Sequence, residues 1–124
     1  MIDIDKKLSE LSKSKFRNSF HLNKKMVDYC KEKGYLKVRE HAYDFINERL
    51  KDKNPKNDGS QTPMKGHPVF VAQHACACCC RGCLEKWHNI KKNKELTKNE
   101  INYIVCILMK WIEKEMKINI DNNK

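Results

Sequence analysis

Between His67 and His88 the chain reads His-Pro-Val-Phe-Val-Ala-Gln-His-Ala-Cys-Ala-Cys-Cys-Cys-Arg-Gly-Cys-Leu-Glu-Lys-Trp-His, and it packs five of its seven cysteines and three of its five histidines there. Soft and borderline ligands crowd in this way when they converge on an ion or share redox chemistry, and either use demands that the backbone turn back on itself. On one unbroken helix, Cys80 and His88 would stand about 12 Å apart along the axis. A shared site therefore requires a break, which the sequence suggests near Gly82.

The first choice of metal is zinc, held by two of Cys79, Cys80 and Cys83 together with His74 and His88. Cys80-x2-Cys83 is a two-residue-gap chelate, and Gly82 would ease the turn between the thiols. Successive side chains diverge on a helix or strand, so Cys78, Cys79 and Cys80 are not expected to meet at one ion together. Two alternatives stay open. Cys76-x3-Cys80-x2-Cys83 has the spacing of a three-cysteine iron–sulfur chelate, so iron or an iron–sulfur cluster competes with zinc. Cys80-Arg81-Gly82-Cys83 at a helix start is also a candidate redox dithiol, its thiol acidity raised by the helix dipole and Arg81.

With 124 residues, the chain suits a single domain that can bury a real core without a metal. No apolar run approaches the roughly 20 residues needed to span a bilayer, and the first residues carry no apolar signal segment. The expected setting is the cytoplasm, without membrane contact, where thiols stay reduced.

The net charge of +10 invites an acidic partner. Lysine supplies almost all of the excess, however, as an AT-rich coding sequence would give any protein, and lysine is the poorer residue for bidentate phosphate recognition. The sharper signal is local. Lys86, Lys91, Lys92, Lys94 and Lys98 follow the cysteines with only Glu95 among them, and beside Trp87 they form a candidate nucleic-acid contact. The competing reading is a solvated connector.

The hydrophobic pattern predicts a mostly α fold of five to six helices around the Cys/His site. Ile4, Leu8 and Leu11 mark a first helix that Asp5 could cap. Asn23 caps a second, bearing Met26, Val27 and Cys30 and ended by Gly34. A third carries Leu36, Val38, His41, Ala42, Phe45, Ile46 and Leu50 on one stripe. Residues 51–66, with Pro55, Gly59, Pro63 and Gly66, read as a long loop, whose end at Gln61 to Gly66 is expected to fold over the site. Pro68 at a first helical position opens a helix running to about Cys79, and another begins near Cys83 with Leu84, Trp87 and Ile90 inward. Thr97-Lys98-Asn99-Glu100 is a capping box for a last helix with Ile101, Ile104, Val105, Leu108, Ile112 and Met116 on one face. Residues 118–124 read as a flexible tail.

No Ser-His-Asp order, phosphate-cradling glycine loop or His-Glu-x-x-His helix is present. An enzymatic use of the ion would need an open coordination position and a general acid or base, for which Glu85 and His67 are the candidates.

Asp58-Gly59 with Gln61-Thr62-Pro63-Met64, Gly66-His67-Pro68-Val69-Phe70, Ala72-Gln73-His74-Ala75, Cys79-Cys80-Arg81-Gly82-Cys83-Leu84, Lys86-Trp87-His88 and Leu96-Thr97 together resemble a small bacterial family, the domain of unknown function numbered 4186. The similarity extends to Ser14-Lys15-Phe16-Arg17 and so covers most of the chain. It implies no activity. It does imply that His67, His74, Cys79, Cys80, Cys83 and His88 are the family positions, while Cys76 and Cys78 stand where relatives carry small hydroxyl residues. That weakens the three-cysteine iron–sulfur spacing. The chain departs from the family at Asn89-Ile90-Lys91-Lys92-Asn93, where a turn with glycine and proline is expected.

Overall fold

The computed structural model describes residues 3–55 and 59–122, with side chains up to Lys117. Its helices are α1 (Ile4–Ser12), α2 (Lys15–Asn18), α3 (Lys24–Lys33), α4 (Tyr35–Arg49), α5 (Pro68–Ala75), α6 (Arg81–His88) and α7 (Lys98–Asn122). The fold is mostly α, with no strand among the described residues. Among the described residues the helices number seven because Ser14 caps a one-turn helix, α2, by accepting from the Arg17 amide at 3.3 Å.

Local chemistry sets most boundaries. Asp3, rather than Asp5, caps α1 by accepting from the Lys6 amide, which leaves Asp5 in the first turn to complement the helix dipole. Asn23 caps α3 through the Met26 amide, and Gly34, at φ 84°, ends it in a conformation that side chains avoid. At α7 the Thr97 amide donates to the Glu100 carboxylate at 2.9 Å, and the Glu100 amide donates to the Thr97 hydroxyl at 3.1 Å. This is the reciprocal capping box its spacing predicts.

Helix α7 packs chiefly against α4 and α5. Ile101, Ile104, Val105, Leu108 and Ile112 are buried along it, in one core with Val38, Ala42, Ile46 and Leu50 of the α4 segment and Val69 and Ala72 of α5. Each large aliphatic side chain closed off in this way contributes on the order of 1.5–3 kcal/mol. The α4 stripe differs from the sequence expectation at its start. Leu36 is 77 % exposed, because the residues at spacing four (Val38, Ala42, Ile46) turn the opposite side of the helix inward.

No helix stands between Arg49 and Pro68, and 56–58 lie outside the described residues. At the other end the α7 backbone continues to Asn122, so the expected tail over 118–124 begins within helix and its last two residues lie outside the description. No described helix is long and apolar enough to cross a membrane.

Candidate metal centre

The break that a shared site needs falls before Gly82. Helix α5 ends at Ala75 rather than Cys79. Ala77, at φ 57°, takes the left-handed position, the Cys78 amide donates to Gln73 O at 2.7 Å, and the Ala77 amide donates to His74 O at 3.3 Å. Those two bonds close a Schellman motif with alanine where glycine is usual. The chain then runs extended through Cys80 (φ −158°), whose sulfur caps α6 by accepting from the Cys83 amide at 3.4 Å. Gly82 lies inside the first turn of α6. A Cβ there would meet only Lys92 and Cys80 at ordinary contact distance, so it is not a hinge.

This turn gathers the Cys79, Cys80 and Cys83 sulfurs within 4.8 Å of one another, a group that can hold a metal ion. Cys79 and Cys80 are 8 % and 9 % exposed, and Cys83 is half-buried. Cys78 leaves the group, as the divergence of neighbouring side chains requires. Its sulfur faces the His88 imidazole at 3.6 Å.

Arg17 completes the centre, although sequence reasoning assigned it no role. From α2 its guanidinium donates to Cys83 Sγ at 3.2 Å, to Cys79 Sγ at 3.7 Å and to His74 O at 2.7 Å. It is 9 % exposed and pairs with no carboxylate among the described residues. Burial opposes its charge, but the bonds to Cys79 and Cys83 outweigh that and raise its pKa. Cys83 is held towards its thiolate form. Bonds from Cys79 and Cys80 pull its pKa down, and Arg17 adds to the shift against the cost of burial. Cys79, donating within the trio, is pushed up. The only sequence signal for Arg17 was the Ser14-Lys15-Phe16-Arg17 stretch of the resemblance, and its chain separation from the thiols hid the contact.

None of the histidines His67, His74 and His88 joins the group. His74 directs Nε2 at the carbonyls of Thr62 (3.2 Å) and Pro63 (3.1 Å), and its ring stacks on Phe20. His88 directs Nε2 at Cys76 O (2.8 Å) and Nδ1 at the Tyr103 hydroxyl (2.7 Å). Burial lowers the His88 pKa, which suits a neutral ring bonded at both nitrogens. His67 caps α5, its Nδ1 accepting from the Val69 amide, while Nε2 faces His41 Nδ1 at 3.1 Å. Burial first, and His41 second, push its pKa down to about 4. Glu85 accepts from the Lys92 amide at 2.9 Å.

The loop reaches the site at its end. Gln61 and Thr62 are buried, and the Thr62 hydroxyl donates to Cys79 O at 2.8 Å, whereas Met64 is 56 % exposed. Cys76 and Cys78 are buried and held protonated, chiefly by desolvation.

Arg81 does not serve the thiols. Its guanidinium, 1 % exposed, donates to Leu50 O, Asp52 O, Lys91 O and Lys94 O at 2.8–3.2 Å, tying the loop start and the lysine connector to α6. Of the connector lysines, Lys94 pairs with Glu100 at 2.7 Å, Lys92 lies across Gly82, and Lys86, Lys91 and Lys98 are exposed.

A family model described as a domain of unknown function (DUF4186) matches residues 5–113. No solved structure matches the chain.

Proposed function

We propose, from the premise that this chain belongs to the DUF4186 family of unknown function, that it is a non-enzymatic zinc-binding module, one domain working in the reducing cytoplasm. Cys79, Cys80 and Cys83 are the ligands. The observation that carries this reading is the convergence of three sulfurs within 4.8 Å, backed by a buried guanidinium. An ion about 2.3 Å from each sulfur in tetrahedral geometry separates the sulfurs by about 3.8 Å, which fits that spread. A multi-iron cluster holds its cysteines further apart, so iron–sulfur is the weaker alternative.

His74 and His88, the first-choice nitrogen ligands, serve better as supports, since their Nε2 atoms meet carbonyl oxygens. That leaves a tetrahedral ion's fourth position to a ligand from outside the described residues, or to water. Three anionic sulfurs already quench much of a zinc ion's Lewis acidity, so such a water would be a poor source of hydroxide. Glu85 and His67 are also engaged elsewhere, which favours binding over hydrolysis.

Elemental analysis and the absorption spectrum of anaerobically purified protein test this reading. A colourless sample with one zinc per chain, lost in Cys83→Ala, supports it. A brown sample with iron and sulfide overturns it in favour of a cluster.

A second reading is favoured by the way Arg81 pins the carbonyls of Lys91 and Lys94. A basic strip fixed beside the metal site is suited to a nucleic-acid backbone. Binding to a mixed-sequence single-stranded oligonucleotide should weaken with salt and fall in the Lys91→Glu, Lys92→Glu, Lys94→Glu triple variant. Unchanged binding in that variant removes the second reading.

A further inference from the structure

We infer that Arg17 is a specificity-determining residue of the thiol site, selecting divalent thiophilic ions by balancing the single negative charge that their three-thiolate complex carries. The inference rests on the metal reading above and adds the class of ion.

Its basis is the contrast between the cation's surroundings and its partners. Arg17 is 9 % exposed, and its sulfur partners are Cys79 and Cys83. A buried guanidinium is costly unless an anion or a full set of acceptors lies against it, and among the described residues Arg17 reaches no carboxylate and one carbonyl, His74 O. Three thiolates around a divalent ion leave one net negative charge, placed on the sulfurs to which Arg17 donates. Three thiolates around a trivalent centre leave none, so the same guanidinium would face a neutral complex with its burial cost uncompensated.

The other nearby cations do not supply this balance. Arg81, adjacent to Cys80 in sequence, turns to four carbonyl oxygens instead. Lys92 lies across Gly82, but in a half-exposed position where water and salt screen it. Among the described residues, Arg17 alone touches the sulfurs from a buried position. Its second bond, to His74 O at 2.7 Å, fixes the fork against the end of α5 and keeps the charge aimed at the thiols.

Cd²⁺ and arsenite are the probes that separate charge from scaffold. Cd²⁺ takes three thiolates to an anionic complex. Arsenite exchanges its three hydroxyls for three thiols, forming three S–As bonds and releasing three waters with no change of oxidation state, and its complex is neutral. Affinities are measured on the full chain, from the sulfur-to-metal absorption band for Cd²⁺ and by calorimetry for arsenite.

Arg17→Gln should weaken Cd²⁺ by about tenfold or more, as expected for losing an adjacent charge in a partly buried site, while arsenite changes less than about threefold. Arg17→Lys keeps the charge and should hold Cd²⁺ within about threefold of the wild type. Equal losses for both ions in Arg17→Gln overturn the inference and make Arg17 a scaffold, as does unchanged Cd²⁺ affinity in that variant. If Arg17→Lys loses Cd²⁺ as fully as Arg17→Gln, charge is again not what matters. A wild-type chain that gives no Cd²⁺ band at all brings down the metal reading itself, which is a different result from any of these.

Discussion

Arg17 and Arg81 are both almost wholly buried, at 9 % and 1 % exposure, and neither meets a carboxylate among the described residues, yet their surroundings differ in kind. Arg81 sits among four backbone carbonyls contributed by the C-cap of α4 (Leu50), the start of the 51–66 loop (Asp52) and the connector after α6 (Lys91 and Lys94). Carbonyl dipoles cannot change their charge, so that pocket is the same under all conditions. It stitches three chain segments together. Arg17 faces Cys79 and Cys83, whose charge depends on protonation and on what they bind. One arginine is built into the fold and the other into the chemistry. The residue that the CRGC spacing nominated for activating the thiols is therefore the structural one, and the activating role falls to a residue far away in the chain.

The largest expected effect tests the structural half of that contrast. Arg81→Met takes the donor from one buried carbonyl and three part-buried ones and should cost about 3–5 kcal/mol of unfolding free energy, the range for breaking a buried charged network. Denaturant unfolding measures it, and a loss below about 1 kcal/mol would erase the distinction between the two arginines. The chemical half predicts a different pattern for Cys83→Ser. Wild-type protein with zinc at a hundred times its dissociation constant should gain about 2.7 kcal/mol over the metal-free form. The serine variant should gain almost nothing, read as the difference in melting temperature with and without zinc.

Another cation-capable group, the half-buried His67, lies apart from both arginines and works only while neutral. Its Nδ1 must accept from the Val69 amide, and its pKa is down at about 4 from an ordinary 6.5. Between those values the unfolded chain takes up the proton more readily than the folded one. Stability is thus intact above pH 6.5 and falls as the pH drops towards 4. Because the ring is partly open to solvent, the loss should be about 1–2 kcal/mol rather than the full value of the shift. Unfolding curves at pH 7 and pH 5 measure it. His67→Asn, which keeps a capping acceptor without the titration, should flatten the dependence. If the variant keeps the full slope, the acid sensitivity belongs elsewhere, with the thiols and Arg17 the next suspects.

The smallest effects lie away from both pockets and calibrate the rest. Thr97→Ala should cost about 1 kcal/mol through its lost cap. Leu36→Lys should stay within about 0.5 kcal/mol, since Leu36 is 77 % exposed.

What could be read in the sequence was what depends on near neighbours. The Asn23 cap, the Thr97–Glu100 box and the apolar face of α7 each follow from side chains and amides within a few residues. The cysteine block announced a shared site for the same reason. Where two local signals competed, the choice was harder. Asp3 and Asp5 are both able caps, and the reading of a hinge at Gly82 overlooked Ala77, because an alanine in the left-handed region leaves no compositional trace. Leu36 fitted the apolar count of its helix but not the face that α7 covers.

The sequence alone determined that this chain is helical and that its thiols crowd one short stretch, because helix periodicity and capping act over a turn or two. Only the tertiary structure decided which groups face the sulfurs. It brought Arg17 across from α2, turned Arg81 away, and set the Nε2 atoms of His74 and His88 against carbonyls. A buried polar group must find a partner wherever the packed helices provide one, and no spacing rule along the chain records where that will be.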